Sequence, residues 1–258
     1  MIRRALVFGA AFVGLAFLVL PVVAIFARVA PGRLIGQLGN GAVTDALRVS
    51  VETSAAAQAL VLLIGTPTAV VLARRFRFRE LLVSLVELPL VLPPAVAGLG
   101  LFAAFGRFGL LHTTIPFTKL AVIFAVAFVS GPLYVRAAIA AFEAVDGNIV
   151  AASRTLGAGP TRTFFRVVLP LARPGLAAGA ALALARGLGE FGATIMFAGS
   201  LRGVTETLPL AVYSEFNVDF DTALAVSALL VAFSAALLIA LKWRPSLSTS
   251  RFRFAASS

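Results

Sequence analysis

Cysteine is absent from this sequence, which excludes disulfides and thiolate metal sites. Histidine occurs once, at His112, which leaves no room for a histidine-based zinc or haem site and supplies Cys/His or Ser/His catalysis poorly. Lysine occurs twice, at Lys119 and Lys242, and no G-x-x-x-x-G-K-[ST] phosphate loop exists. The chain therefore has no ATPase site of its own. Charged residues are only 13% of the total, against roughly 25% in ordinary soluble domains. What fills their place is hydrocarbon: 60% of the 258 residues are hydrophobic, and mean hydropathy is +1.01. A soluble core cannot use that much apolar surface, so the expected class is an all-α polytopic membrane protein lying in a lipid bilayer.

The net charge of +11 does not point to nucleic acid, because the arginines stand in short clusters between apolar runs. Crossing about 30 Å of hydrocarbon takes about 20 apolar residues in a helix. Six segments qualify: 5–27, 46–73, 80–105, 119–141, 176–198 and 222–241. The first follows Arg3 and Arg4 as a signal peptide would. Its apolar stretch is longer than a signal h-region, however, and it reads as an uncleaved span. Of the 22 lysines and arginines, fourteen fall in the loops holding Arg74 to Arg79, Arg154 to Arg173 and the two ends. The opposite loops gather acids such as Glu206, Glu215 and Asp219. The positive-inside bias places both termini in the cytoplasm of a multi-pass cell-membrane protein. Residues 1–245 form the transmembrane domain, and the polar, basic tail 246–258 is expected to be disordered and cytoplasmic.

Helix breakers interrupt the third span, ELPLVLPPAVAGLG, where Pro89, Pro93 and Pro94 precede Gly98 and Gly100. A proline in lipid frees a carbonyl that needs a protein or water partner, so this span either kinks for packing or lines a wet pathway. The longest cytoplasmic connection, 142–175, is expected to be two short helices. Asp146 caps the first, and Ile149, Ala152, Ser153 and Leu156 share one face. Gly157 takes the left-handed closing position, Pro160 starts the second helix, and Pro170 stops it. This element either rests on anionic headgroups or docks a cytoplasmic partner.

The spacing Gly157, nine residues, Val167, one residue, Leu169-Pro170 resembles the "EAA" loop of ABC importer permeases. The Glu-Ala-Ala triplet aligns to Ala151-Ala152-Ser153, so the family's glutamate is missing. The resemblance implies that Ala151, Ala152, Ser153, Arg154, Thr155, Leu156, Gly157 and Ala158 form a coupling helix seated in a groove of an ATPase subunit. The runs LGEFGATIMFAG and TETLPLAVY, with LPLVLPP earlier, resemble the molybdate/tungstate permeases of such importers. The fold implied is that of type I importer permeases. Its partners would be two ATPase subunits carrying the ATP and Mg, a second copy of this chain, and an extracytoplasmic molybdate-binding protein. The cargo would be an oxyanion, and this chain would bind no cofactor.

Arg186 and Glu190 fall near mid-membrane in the fifth span, where ionisable residues are costly and functional by default. Standing i, i+4, they either neutralise each other or hold a gate. Around them Phe191, Gly192, Thr194, Ser130, Pro93 and Pro94 are the candidate pathway residues, and Gly187 and Gly189 allow close backbone approach. Gly175 and Gly179 are spaced to pack helices, within the subunit or across a dimer. His112 is given no chemical role, and no catalytic residue or metal site is assigned. The alternatives are a sulfate/thiosulfate-type permease, an ion-coupled secondary transporter, for which no convincing internal repeat is visible, and a membrane-embedded enzyme, for which no nucleophile or base set is present.

Overall fold

The computed structural model describes residues 2–29, 32, 36 and 39–242; the tail at 246–258 lies outside them. Among the described residues every regular element is helical. In chain order these are α1 (Ile2–Arg28), α2 (Gly41–Leu72), α3 (Arg79–Val91), α4 (Pro94–Phe105) and α5 (Lys119–Glu143). They are followed by α6 (Gly147–Thr155), α7 (Pro160–Leu188), α8 (Gly192–Ala198), α9 (Leu208–Phe216) and α10 (Phe220–Lys242). Four of them, α1 from Leu6, α2, α5 and α7, are long and apolar enough to cross a membrane, and α3 with α4 makes a fifth if counted as one bent span. Helix α10 covers the last expected span.

Helix α5 is the centre of the bundle. Thr118 caps it, its side chain accepting from the Ala121 amide at 3.4 Å. Its buried residues join two apolar clusters, one shared with α4 and α8 and the other with α2 and α7. Small residues set the α5–α7 distance. A Cβ on Gly175 would lie 2.5 Å from that of Ala141, and one on Gly179 would lie 2.7 Å from that of Ala137. The Gly175/Gly179 pair thus packs helices inside the subunit. Gly65 of α2 plays the same part, since a Cβ there would meet the Tyr134 ring at 2.8 Å. The Tyr134 hydroxyl is bonded to Thr66 Oγ1 at 2.6 Å.

Three expectations need correcting. The third span is not one kinked helix: α3 and α4 meet at a bend of 113°. Leu92 precedes Pro93 and is pushed to extended backbone, ψ 135°, while Pro94 restarts a helix at its first position. Pro170 does not stop the second loop helix. A π-helical turn over Phe164–Val168 carries it through, with the Leu169 amide bonded back to the Phe164 carbonyl, and α7 runs on unbroken to Leu188. The fifth span is not continuous to 198 either. It breaks at Gly189–Phe191 and resumes as α8.

Candidate coupling surface and pathway

The hairpin of α6 and α7 stands at the arginine-rich end of the bundle. Asp146 opens α6, its Oδ1 accepting from the Asn148 amide at 2.8 Å. Gly157 closes it at φ +82°, with its amide donating to the Arg154 carbonyl at 2.9 Å and that of Ala158 to Ser153 at 3.1 Å. Pro160 occupies the first position of α7. The Ser153 hydroxyl meets that of buried Thr163 at 3.1 Å, which fastens α6 to α7. No residue of α6 is buried. Ala151, Ala152, Arg154, Thr155 and Gly157 are exposed, Ser153 and Ala158 are half-buried, and Leu156 is 88% exposed.

Helix α7 leads from this hairpin to the break near its far end. At Arg186 the guanidinium Nη1 lies 2.8 Å from Glu190 Oε2, and the Arg186 side chain is 36% exposed while that of Glu190 is 1% exposed. The geometry is that of an ion pair rather than an aligned hydrogen bond, since Oε2 has no donor pointed at it. The other oxygen accepts from the Ala193 amide at 2.8 Å and caps α8. Pairing therefore survives the break because Glu190 turns inward as the cap of the next helix.

The expected pathway residues fall into two groups. Gly192 packs on Pro94, to whose Cβ an added Cβ would approach within 2.8 Å, and Gly98 of α4 packs on the Ala193 backbone. Phe191 lies against Tyr213, ring centroids 5.2 Å apart, and Pro93 is exposed at the bend. Ser130 and Thr194, in contrast, are buried. Ser130 Oγ donates to the Val126 carbonyl at 2.7 Å beneath Gly187, while Thr194 Oγ1 has no partner. Nothing lies within 4 Å of a Cβ on Gly189, so that glycine serves the chain break and not close packing.

Two ion pairs, and with them Glu87, Arg136 and Glu143, escaped the sequence reading. Along the α3–α5 seam, Arg79 pairs with Glu143, and Glu87 pairs with Arg136 at 3.5 Å, so the two rungs have opposite polarity. Arg79 Nε also donates to the Leu72 carbonyl at the end of α2, at 2.8 Å. The available signal was that Glu87 and Arg136 both sit inside expected spans. Between α2, α3, α4 and α5 lies an apolar cavity of about 480 Å³ whose only polar lining residue is Thr68. Among the described residues no cluster of three metal-ligating side chains occurs.

The family model "Binding-protein-dependent transport system inner membrane component" matches residues 61–243. The chain is 42% identical over 247 residues to the molybdenum transport system permease protein ModB of Mycobacterium tuberculosis, covering 93% of this chain and 94% of that protein. A probable molybdenum ABC transporter permease protein of Haloferax volcanii is 36% identical over 225 residues, covering 85% and 82%. Among solved structures, an inward-facing MetNI methionine ABC transporter matches with TM-score 0.62 at 20% identity, over 78% of this chain and 93% of that one. That likeness carries the fold alone: the helical bundle is that of an ABC importer permease.

Proposed function

This chain belongs to the binding-protein-dependent transport system inner membrane components, and from that membership we propose that it is the permease subunit of an ATP-driven importer of molybdate or tungstate. Membership makes it a multi-pass transporter subunit and implies an ATPase and a substrate-binding protein as its partners. The substrate rests on one observation: relatives matched nearly end to end carry molybdenum in their names. The LGEFGATIMFAG run supports the same anion.

Two copies would enclose the pathway about a two-fold axis, with both termini and the α6 hairpin cytoplasmic. The segment Ala151 to Ala158, the end of α6 with its glycine turn, would seat in a groove of one ATPase subunit, and that subunit would bind ATP and Mg. Docking leans on shape, on Leu156 and Gly157, and on the neighbouring Arg154, since Ala151 stands where the family has glutamate and leaves no carboxylate for a salt bridge. Helix α7 spans 29 residues, about 43 Å at 1.5 Å per residue, and links this plug rigidly to the Arg186–Glu190 break. Movement of α6 therefore carries α8 and, through Gly192 and Gly98, also α4. Arg186, Glu190, Phe191, Gly192, Thr194, Ser130, Pro93 and Pro94 form the gate region that these movements open and close. A binding protein loaded with the anion delivers it from the outer side.

The test of docking is co-purification of the cognate ATPase with the tagged permease. We expect the wild type to retain it and Leu156→Asp to lose it. Equal retention by the variant would remove α6 from the docking role.

A further inference from the structure

The α3–α5 pair has two unlike flanks. One forms the apolar cavity, with Leu85, Val86 and Pro89 on α3 and Gly131, Pro132 and Val135 on α5. The other carries Glu87 and Arg136, neither of which lines that cavity. Helix α5 has 25 residues, about 37 Å of length against about 30 Å of hydrocarbon. Arg136 stands seven residues from its arginine-rich end at Glu143, about 10 Å in at 1.5 Å per residue, so it is already within the hydrocarbon depth. Its side chain is 70% exposed and that of Glu87 is 35% exposed. An exposed arginine and glutamate side by side at that depth do not face lipid. An apolar flank suits the bilayer, and a charged one suits water or another protein surface.

Among the described residues Glu87 is the only ion-pair partner of Arg136, reached through Nε at 3.5 Å, longer than a charge-assisted hydrogen bond. The contact runs through Nε, and an arginine's planar guanidinium fork can grip two oxygens of one anion. Resting on the oxyanion reading above, we propose that Arg136 contacts the anion in the cytoplasmic half of the pathway, with Glu87 as the counter-charge that the anion displaces. The arriving oxyanion takes the fork, and the freed Glu87 carboxylate repels it onward. The pair gives a way station that binds without retaining. Arg79 and Glu143, one rung nearer the cytoplasm and further bonded to Leu72, hold the register of α3 against α5.

The experiment uses the whole importer, permease with ATPase and binding protein, in proteoliposomes, and reads radiolabelled molybdate moved per ATP hydrolysed. Arg136→Gln should lower that ratio by about tenfold, the worth of a charge-assisted contact. Arg136→Lys, which keeps charge without the fork, should fall between. Glu87→Gln should slow uptake less than Arg136→Gln does, because the fork still takes the anion but nothing repels it onward, and the double variant should stay as poor as Arg136→Gln. A merely structural ion pair gives the opposite pattern: both single variants fail alike and the double variant recovers. That pattern, or a normal ratio in Arg136→Gln, overturns the assignment while leaving the oxyanion reading intact. A wild type that moves no molybdate overturns both.

Discussion

The buried carboxylate of Glu190 accepts a hydrogen bond from the Ala193 amide at 2.8 Å, so the acid at the broken end of α7 is also the cap of α8. On the far side of the same residue, the Ala193 carbonyl is where a Cβ on Gly98 would intrude, at 2.6 Å. Three helices therefore meet at one residue, and the break in the fifth span is as tightly specified as its helices.

Removing Arg186 strands the Glu190 carboxylate, whose side chain is 1% exposed. Breaking a buried pair is strongly destabilising, but solvent reaches the Arg186 side of this one. Arg186→Gln should lose about 1–3 kcal/mol, read by thermal unfolding in detergent. Adding Glu190→Gln should restore much of the loss, because the amide oxygen still caps α8 and no charge is left alone. A double variant less stable than the single would contradict the neutralising role.

Gly98→Ala forces a methyl group into the Ala193 backbone, which cannot swing aside as a side chain would. We expect a loss of about 1–3 kcal/mol. Gly100→Ala, two residues on with nothing within 4 Å, should change stability by less than about 0.5 kcal/mol. Equal effects in the same unfolding assay would mean that α4 and α8 are not packed in this way.

Much of this was legible in the residues. Asp146, Gly157 and Pro160 each carry a local signal, a cap, a left-handed turn and a helix start, and the structure has all three. The errors came where local rules met tertiary context. Pro170 reads as a stop, yet a π turn upstream absorbs it; nothing in the local pattern announces a five-residue hydrogen-bond step. Hydropathy runs smoothly through Leu188 to Ala198, so the break at Gly189 is invisible to a window that averages apolar character. Glu87 and Arg136 were overlooked because they belong to different spans, and only the packing of α3 on α5 pairs them.

Gly157 separates folding from docking. At φ +82° any side chain is strained, and Gly157→Ala should cost about 1–2 kcal/mol in thermal unfolding. Leu156 is 88% exposed, so Leu156→Asp should leave stability within about 0.5 kcal/mol of wild type. Its effect should appear only in ATPase co-purification. A large stability loss in Leu156→Asp would mean that this leucine packs within the chain.

The central claim is that this chain moves an oxyanion only when a separate ATPase drives it through α6. The direct measurement is uptake of radiolabelled molybdate into proteoliposomes holding the permease, its ATPase and its binding protein, with and without ATP on the ATPase side, and with sulfate as competitor. The account predicts uptake that requires both ATP and the ATPase and that excess sulfate does not suppress. Uptake persisting without the ATPase, driven by an ion gradient, would contradict it.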